Sequence, residues 1–275
     1  MAYANYIYQG QNFVGEVFGD QLVPLQGIES INSSTPSEVL ATAERLKDQA
    51  VAVSQVALRS ASPEAGKVLC IGLNYKSHVA ETNRELPSYP VMFPKYSSSL
   101  ISSDAEIQLP PEATQLDYEG ELAVIIGKGG RRISESNALD HVLGYAAAND
   151  VTVRNYQYKT HQWMQGKAWD NSTPVGPFVV TPDEVDLSKA GIKTVLNGQT
   201  VQESDLSYLI FSIPNLIATV SEFTALEPGD VILTGTPSGV GYRRDPQLFM
   251  KDGDTVSVTI EGVGTVSNKV VAERV

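Results

Sequence analysis

The sequence predicts an α+β fold rich in strands, with a small N-terminal α+β domain ahead of a larger one. Short β-prone runs bounded by turn residues outnumber the helical stretches, and the helices are short. Strands and helices do not alternate regularly, which disfavours a doubly wound parallel sheet. The small-residue stretch Ser60-Ala61-Ser62-Pro63-Glu64-Ala65-Gly66 reads as a linker and divides residues 1–62 from 63–275.

Residues 4–25 hold NYIYQG, NFVGEVFGD and QLVPL, which read as two or three antiparallel strands. A helix follows: Thr35 can cap it, Pro36 suits the first turn, Glu38 completes a capping box, and Leu40, Ala43 and Leu46 continue at helical spacing. KVLCIGL is a short buried strand, and Asn74 to Glu81 a short helix or ordered loop. PVMFPK and EIQLP are strand-like around the bend Ser97-Ser98-Ser99. The main strand is expected over 117–126, a helix from Ser134 to Asp140, and a strand VLGYAAAND ending at Asp150. Asn197-Gly198 between KTVL and QTVQ signals a two-residue hairpin. Ile213 to Phe223 is helical, LEPGDVILTGTPSGVG is a turn, a strand and a Gly-rich loop, and DTVSVTIEG with TVSNKVV forms a closing hairpin.

Composition narrows the function. The chain has 275 residues, of which 42% are hydrophobic, enough for a sizeable core. A net charge of −12 argues against nucleic acid and against anionic membrane surfaces as partners. Cys70 is the single cysteine, so no internal disulfide forms, in keeping with a reducing cytoplasm. No basic start followed by an apolar run marks a signal peptide, and no apolar run reaches the length of a membrane span.

Asp117-Tyr118-Glu119-Gly120-Glu121 opens the main strand. Positions i and i+2 of a strand share a face, so Glu119 and Glu121 would sit roughly 7 Å apart. Two neighbouring anions on a half-buried face repel each other unless one is protonated or a cation lies between them. Asp150 can join them if its strand lies alongside, and three oxygen ligands suit Mg²⁺ or Mn²⁺. Taken singly, each could instead be an edge charge or a turn cap. His78 and Glu81 share a face if their segment is helical, and a carboxylate on one imidazole nitrogen orients the ring for proton transfer. In isolation such a pair is also common on surfaces. Lys167, among Gly, Trp and apolar neighbours, could be buried and meet an anion. The Thr234–Gly241 loop could offer hydroxyls and amide N–H groups to a carboxylate, and Arg243-Arg244 beyond it could hold a distal anion or face water.

Five segments together resemble the fumarylacetoacetate hydrolase family: IGLNYKSHVAE, DYEGELAVIIG, GYAAANDVTVRNYQ, the GKAWD–PVGPF stretch and LEPGDVILTGTPSGVG. The resemblance covers about residues 67–275 and looks like the short acylpyruvate hydrolase type. It implies the β-rich mixed fold of that family's C-terminal domain, a metal-centred site and a homodimer. By position, Glu119, Glu121 and Asp150 match the Mg²⁺ or Mn²⁺ ligands. His78 and Glu81 match a water-activating pair on a lid spanning 74–85. Lys167 and Gln157 match residues near the bound substrate, Thr236 the hydroxyl on its carboxylate, and Arg154 also falls in the motif. Asn155 stands where many relatives carry Asp, and Ser102-Ser103 replaces a frequent Gly-Pro. The activity so implied is hydrolysis of a C–C bond in an acylpyruvate, and fumarylpyruvate is the first choice because Arg243 or Arg244 could receive its second carboxylate. The alternatives are decarboxylation of oxaloacetate, isomerisation of a hydroxylated dienoic diacid, and non-catalytic metal or carboxylate binding.

Overall fold

The computed structural model describes residues 1–82 and 85–274. A large mixed sheet forms the body. Its strands run in the order 51–52, 21–24, 11–18, 2–8, 173–180, 142–149, 120–126, 231–233, 68–72 and 91–95. Neighbours are antiparallel except 231–233 beside 68–72. A second, five-stranded sheet is ordered 199–205, 191–196, 255–260, 264–272 and 107–109. The fold is the expected β-rich α+β type.

The strand Gly120–Ile126 is central, paired on one side with Val142–Asn149 and on the other with Val231–Leu233. Leu122, Val124 and Ile126 pack towards the second sheet, with Ile192, Val258 and Ile260, and towards the helix Ile213–Phe223. Ala123 and Ile125 pack on the opposite face with Cys70, Val175 and Val231. Both faces are buried, so this strand is no charged sheet edge.

Three local expectations change. The main strand is broken: Leu116–Asp117 pairs with Thr152–Val153, and pairing resumes at Gly120. Helix α1 is confined to Ser37–Thr42, and Thr35 does not cap it. The Thr35 hydroxyl instead accepts the Asn32 N–H at 2.8 Å and closes the preceding turn. The segment expected as a helix at 134–140 is a tighter 3₁₀ turn, Glu135–His141.

Residues 2–24 form three antiparallel strands, as expected, and the first joins the main sheet with Tyr3 opposite Val179. Ser60, Ala61, Ser62 and Ala65 are buried, and the Ser62 hydroxyl donates to the Gly229 carbonyl at 2.6 Å. The division into 1–62 and 63–275 therefore remains a proposal by chain order, since one sheet runs through both. Asn197 (φ 49°) and Gly198 (φ 80°) make the anticipated hairpin turn. The long helix Ile213–Phe223 is capped by the Ser212 hydroxyl, which accepts the Asn215 N–H at 3.3 Å. No helix among the described residues is long and apolar enough to cross a membrane.

Candidate metal centre and active site

Glu119 sits in the break before the central strand. Its N–H donates to Asn149 Oδ1 at 2.9 Å, and its carbonyl accepts the Asp150 N–H at 2.8 Å. Glu121 is the second residue of the resumed strand. The interruption brings the three acids together: Glu119, Glu121 and Asp150 each offer an oxygen, and these lie within 4.8 Å of one another. Their exposures are 5%, 1% and 0%.

Buried carboxylates need compensation. Lys167, carried by the short helix Met164–Lys167, donates to Glu119 Oε2 at 2.6 Å and Asp150 Oδ2 at 2.7 Å. Lys95 donates to Asp150 Oδ1 at 2.5 Å and to the Val151 carbonyl at 3.1 Å. Arg154 donates through Nε to Asp117 Oδ2 at 2.8 Å and through Nη1 to Gln157 Oε1 at 2.9 Å. Its Nη2 lies 2.7 Å from Glu119 Oε1 without aligning an N–H on it.

Burial would raise the Glu119 carboxyl, but Lys167 and then Arg154 prevail and hold it at about 2. Glu121 behaves oppositely. Among the described residues it makes no ion pair, and its Oε2 accepts the Gly235 N–H at 2.7 Å. Burial first, then Asp150 and Glu119, push its carboxyl well above the usual range. A divalent cation among the three would relieve that repulsion. The all-oxygen donor set, without His or Cys, suits a hard ion. The residues present thus fit the metal implied by the sequence.

Helix α2, Lys76–Glu81, carries the expected dyad. His78 Nδ1 and Glu81 Oε1 are 2.6 Å apart, which leaves Nε2 as the other ring nitrogen, and His78 lines the chamber beside the acids. Glu81 Oε2 accepts the Gly239 N–H at 2.9 Å, tying the helix to the Gly-rich loop. Of the expected 74–85 lid, residues 83 and 84 lie outside the described residues.

The loop differs from expectation. With Tyr242 just beyond it, it directs four backbone N–H groups to the protein's own carboxylates: Gly235 to Glu121, Gly239 to Glu81, and Gly241 and Tyr242 to Asp117. The Thr236 hydroxyl accepts from Gln202 Nε2 at 2.8 Å, so its own proton is available to a ligand. Thr236, Gln157 and Arg243 all line the chamber. Arg244 does not. Its Nε donates to Tyr118 Oη at 3.0 Å and to the Gly239 carbonyl at 3.1 Å, and its Nη2 donates to the Val201 carbonyl.

Sequence reading missed three supporting residues. Lys95 ends PVMFPK, where a lysine closing an apolar run was the available signal. Asp117 opens the DYEGE motif, yet its role, aligning Arg154 with the loop, depends on a loop distant in sequence. Gln202 stands in a polar strand and offers no local sign that its amide braces Gly120, Thr194, Thr236 and Pro237.

Residues 67–271 match the family model described as "Fumarylacetoacetate (FAA) hydrolase C-terminal". The chain belongs to the fumarylacetoacetate hydrolase family. Within it, the chain is 42% identical over 221 residues to the mitochondrial oxaloacetate tautomerase fahd2 of Xenopus laevis, covering 79% of this chain and 69% of that protein. A solved structure of 5-carboxymethyl-2-hydroxymuconate delta-isomerase from Mycobacterium smegmatis superposes with a TM-score of 0.85 at 34% identity, over 99% of this chain and 100% of that one. A fumarylacetoacetate hydrolase from Exiguobacterium antarcticum superposes with a TM-score of 0.83 at 33% identity, over 99% and 100%. The buried Glu119–Glu121–Asp150 triad is typical of a divalent-metal site in this family.

Proposed function

We propose that the chain is a divalent-metal-dependent enzyme acting on a small 2-oxo dicarboxylate, and that it interconverts the enol and keto forms of oxaloacetate. The observation that carries this is the His78 ring, clamped by Glu81, lining the same small chamber as Glu119 and Glu121. The similarity to the Xenopus tautomerase and the Mycobacterium isomerase weighs the same way.

Mg²⁺ or Mn²⁺, held by Glu119, Glu121 and Asp150, would supply a Lewis acid for the carboxylate and 2-oxo oxygens. Thr236 donates its hydroxyl proton to the substrate carboxylate, and Gln157 borders the same space. His78 Nε2 takes a proton from the carbon between the two carbonyl groups, and the proton returns to the enol oxygen. Glu81 fixes the ring and stabilises the imidazolium while it exists. Lys167 and Arg154 stabilise the negative charge that moves onto oxygen. Arg243, at the chamber mouth, meets the distal carboxylate.

Hydrolysis of an acylpyruvate, fumarylpyruvate first, is the second reading. The same dyad geometry favours it, because a ring oriented at 2.6 Å by a carboxylate also takes a proton from water. The deciding experiment follows the enol of oxaloacetate by ultraviolet absorbance with Mg²⁺- or Mn²⁺-loaded protein, and analyses fumarylpyruvate reactions by NMR. Faster enol decay without carbon dioxide release supports the tautomerase. Pyruvate with fumarate means hydrolase, carbon dioxide means decarboxylase, and tight metal binding with no turnover of any substrate means a binding protein.

A further inference from the structure

The chamber has a larger neighbour. A cleft of about 580 Å³ opens outside it, lined by Val91, Met92, Phe93 and the run Tyr158 to Trp163. Phe93, Tyr158 and Trp163 line both spaces. Phe93 is buried beneath the Lys167 ammonium, 4.9 Å from its ring centre, and Tyr158 packs on Tyr242 at 5.0 Å.

Trp163 is placed differently. Its backbone begins the short helix that delivers Lys167, and its ring meets Phe93 edge-on at 5.6 Å and 62°. The ring also lies against Gly72. A methyl group built on Gly72 would stand 2.5 Å from Trp163 Cζ3. Gly72 ends the regular strand Val68–Gly72 opposite Val91. Its missing side chain therefore makes room for an indole rather than serving an unusual backbone angle.

We propose that Trp163, seated on Gly72, is the partition that sets how long a substrate tail the enzyme accepts, with the outer cleft as the binding site of longer tails. The inference rests on the reading of the inner chamber as a 2-oxo acid site. With the indole in place, about 40 Å³ is available beside the acids. With it removed, the inner space joins one more than ten times larger. The cleft's chemistry defines the tail. Val91, Met92 and Phe93 suit an aliphatic chain, and His161, with Lys159 whose ammonium rests 3.3 Å from the centre of the Tyr156 ring, suits a terminal carboxylate.

The test is calorimetric titration of Mg²⁺-loaded protein with oxalate, 2-oxoglutarate and 2-oxoadipate. The wild type should lose affinity along this series. Trp163→Ala should raise the affinity for 2-oxoadipate relative to oxalate by about tenfold. Trp163→Phe, which keeps an aromatic contact with Phe93, should give an intermediate ratio. A double-mutant cycle tests the seat: Gly72→Ala should lower Tm in the wild type and much less in Trp163→Ala. Unchanged ratios in both Trp163 variants, or additive Tm losses, would overturn the partition. If the ratios shift but oxaloacetate is not tautomerised, the assigned reaction fails and the partition stands. If oxaloacetate is turned over but the ratios do not shift, the partition alone fails. Failure of the wild type to bind oxalate would remove both.

Discussion

The dyad and the two adjacent arginines show how far identity at single positions determines role. His78→Ala should lower kcat for oxaloacetate by about 10²–10⁴-fold. KM should change little, because in the proposed mechanism the metal carried by the triad, together with Thr236, would bind the substrate. Glu81→Gln keeps an acceptor for the Gly239 N–H and loses the charge facing the ring, so it should cost less in kcat. A large rise in KM with unchanged kcat in either variant would remove them from proton transfer. Arg243 and Arg244 separate sharply. Arg244→Ala strips partly buried acceptors on Tyr118, Gly239 and Val201 and should cost about 2 kcal/mol in urea unfolding. Arg243→Ala should leave stability within about 0.5 kcal/mol and raise KM for a dicarboxylate. At this scale local spacing left Glu119, Glu121, Asp150, His78 and Lys167 open to ordinary uses, and the resemblance of five motifs in one order singled them out. The sequence was silent on Gln202 and offered only a lysine closing an apolar run at Lys95, because their partners lie 34 and 55 residues away.

Among the elements, the Gly-rich loop bears most of the site's order. It ties the dyad helix, the central strand and the Asp117 turn to one stretch of backbone. Gly239 has φ +100° and Gly235 φ +104°, conformations that side chains rarely adopt. At Gly235 an added methyl would also stand 2.8 Å from Asn74 Cβ. Gly239→Ala should destabilise by about 1–3 kcal/mol. It should also loosen α2, seen as faster amide exchange at Lys76–Glu81, while metal affinity changes less. Equal exchange rates in variant and wild type would deny the tie between loop and helix. Periodicity indicated the strands, the hairpin turn and the long helix. It did not indicate the break at Tyr118–Glu119, since DYEGELAVII is strand-like throughout. Long-range pairing of Leu116–Asp117 with Thr152–Val153 decides that point. Thr35 was misassigned for a related reason: its hydroxyl had two local uses, and the Asn32 turn prevailed.

The whole molecule is laced with interior tyrosines. Tyr3, Tyr6, Tyr75, Tyr118 and Tyr145 all have phenols pushed upward, by burial first in every case, Tyr6 and Tyr118 to about 12. A folded-state value above the unfolded one means the native protein holds the proton more tightly. That contribution to stability is complete below about pH 10, the unfolded value. It is lost as pH rises from there through the folded values. Tm should therefore fall between about pH 10 and 12, and the phenolate absorbance of these rings should appear together with unfolding. Smooth titration of all tyrosines in a still-folded protein would contradict it. The two-sheet architecture was legible as a class. The joining of residues 2–8 to 173–180 was not, because register between segments so far apart leaves no local trace.

The ammonium of Lys167, wedged between Glu119 and Asp150, has a practical consequence. With Lys95 and Arg154 it gives the acidic cluster a permanent internal counterion supply. Treatment with EDTA should then abolish turnover yet leave the circular dichroism spectrum intact, and dialysis against magnesium should restore activity without any refolding step.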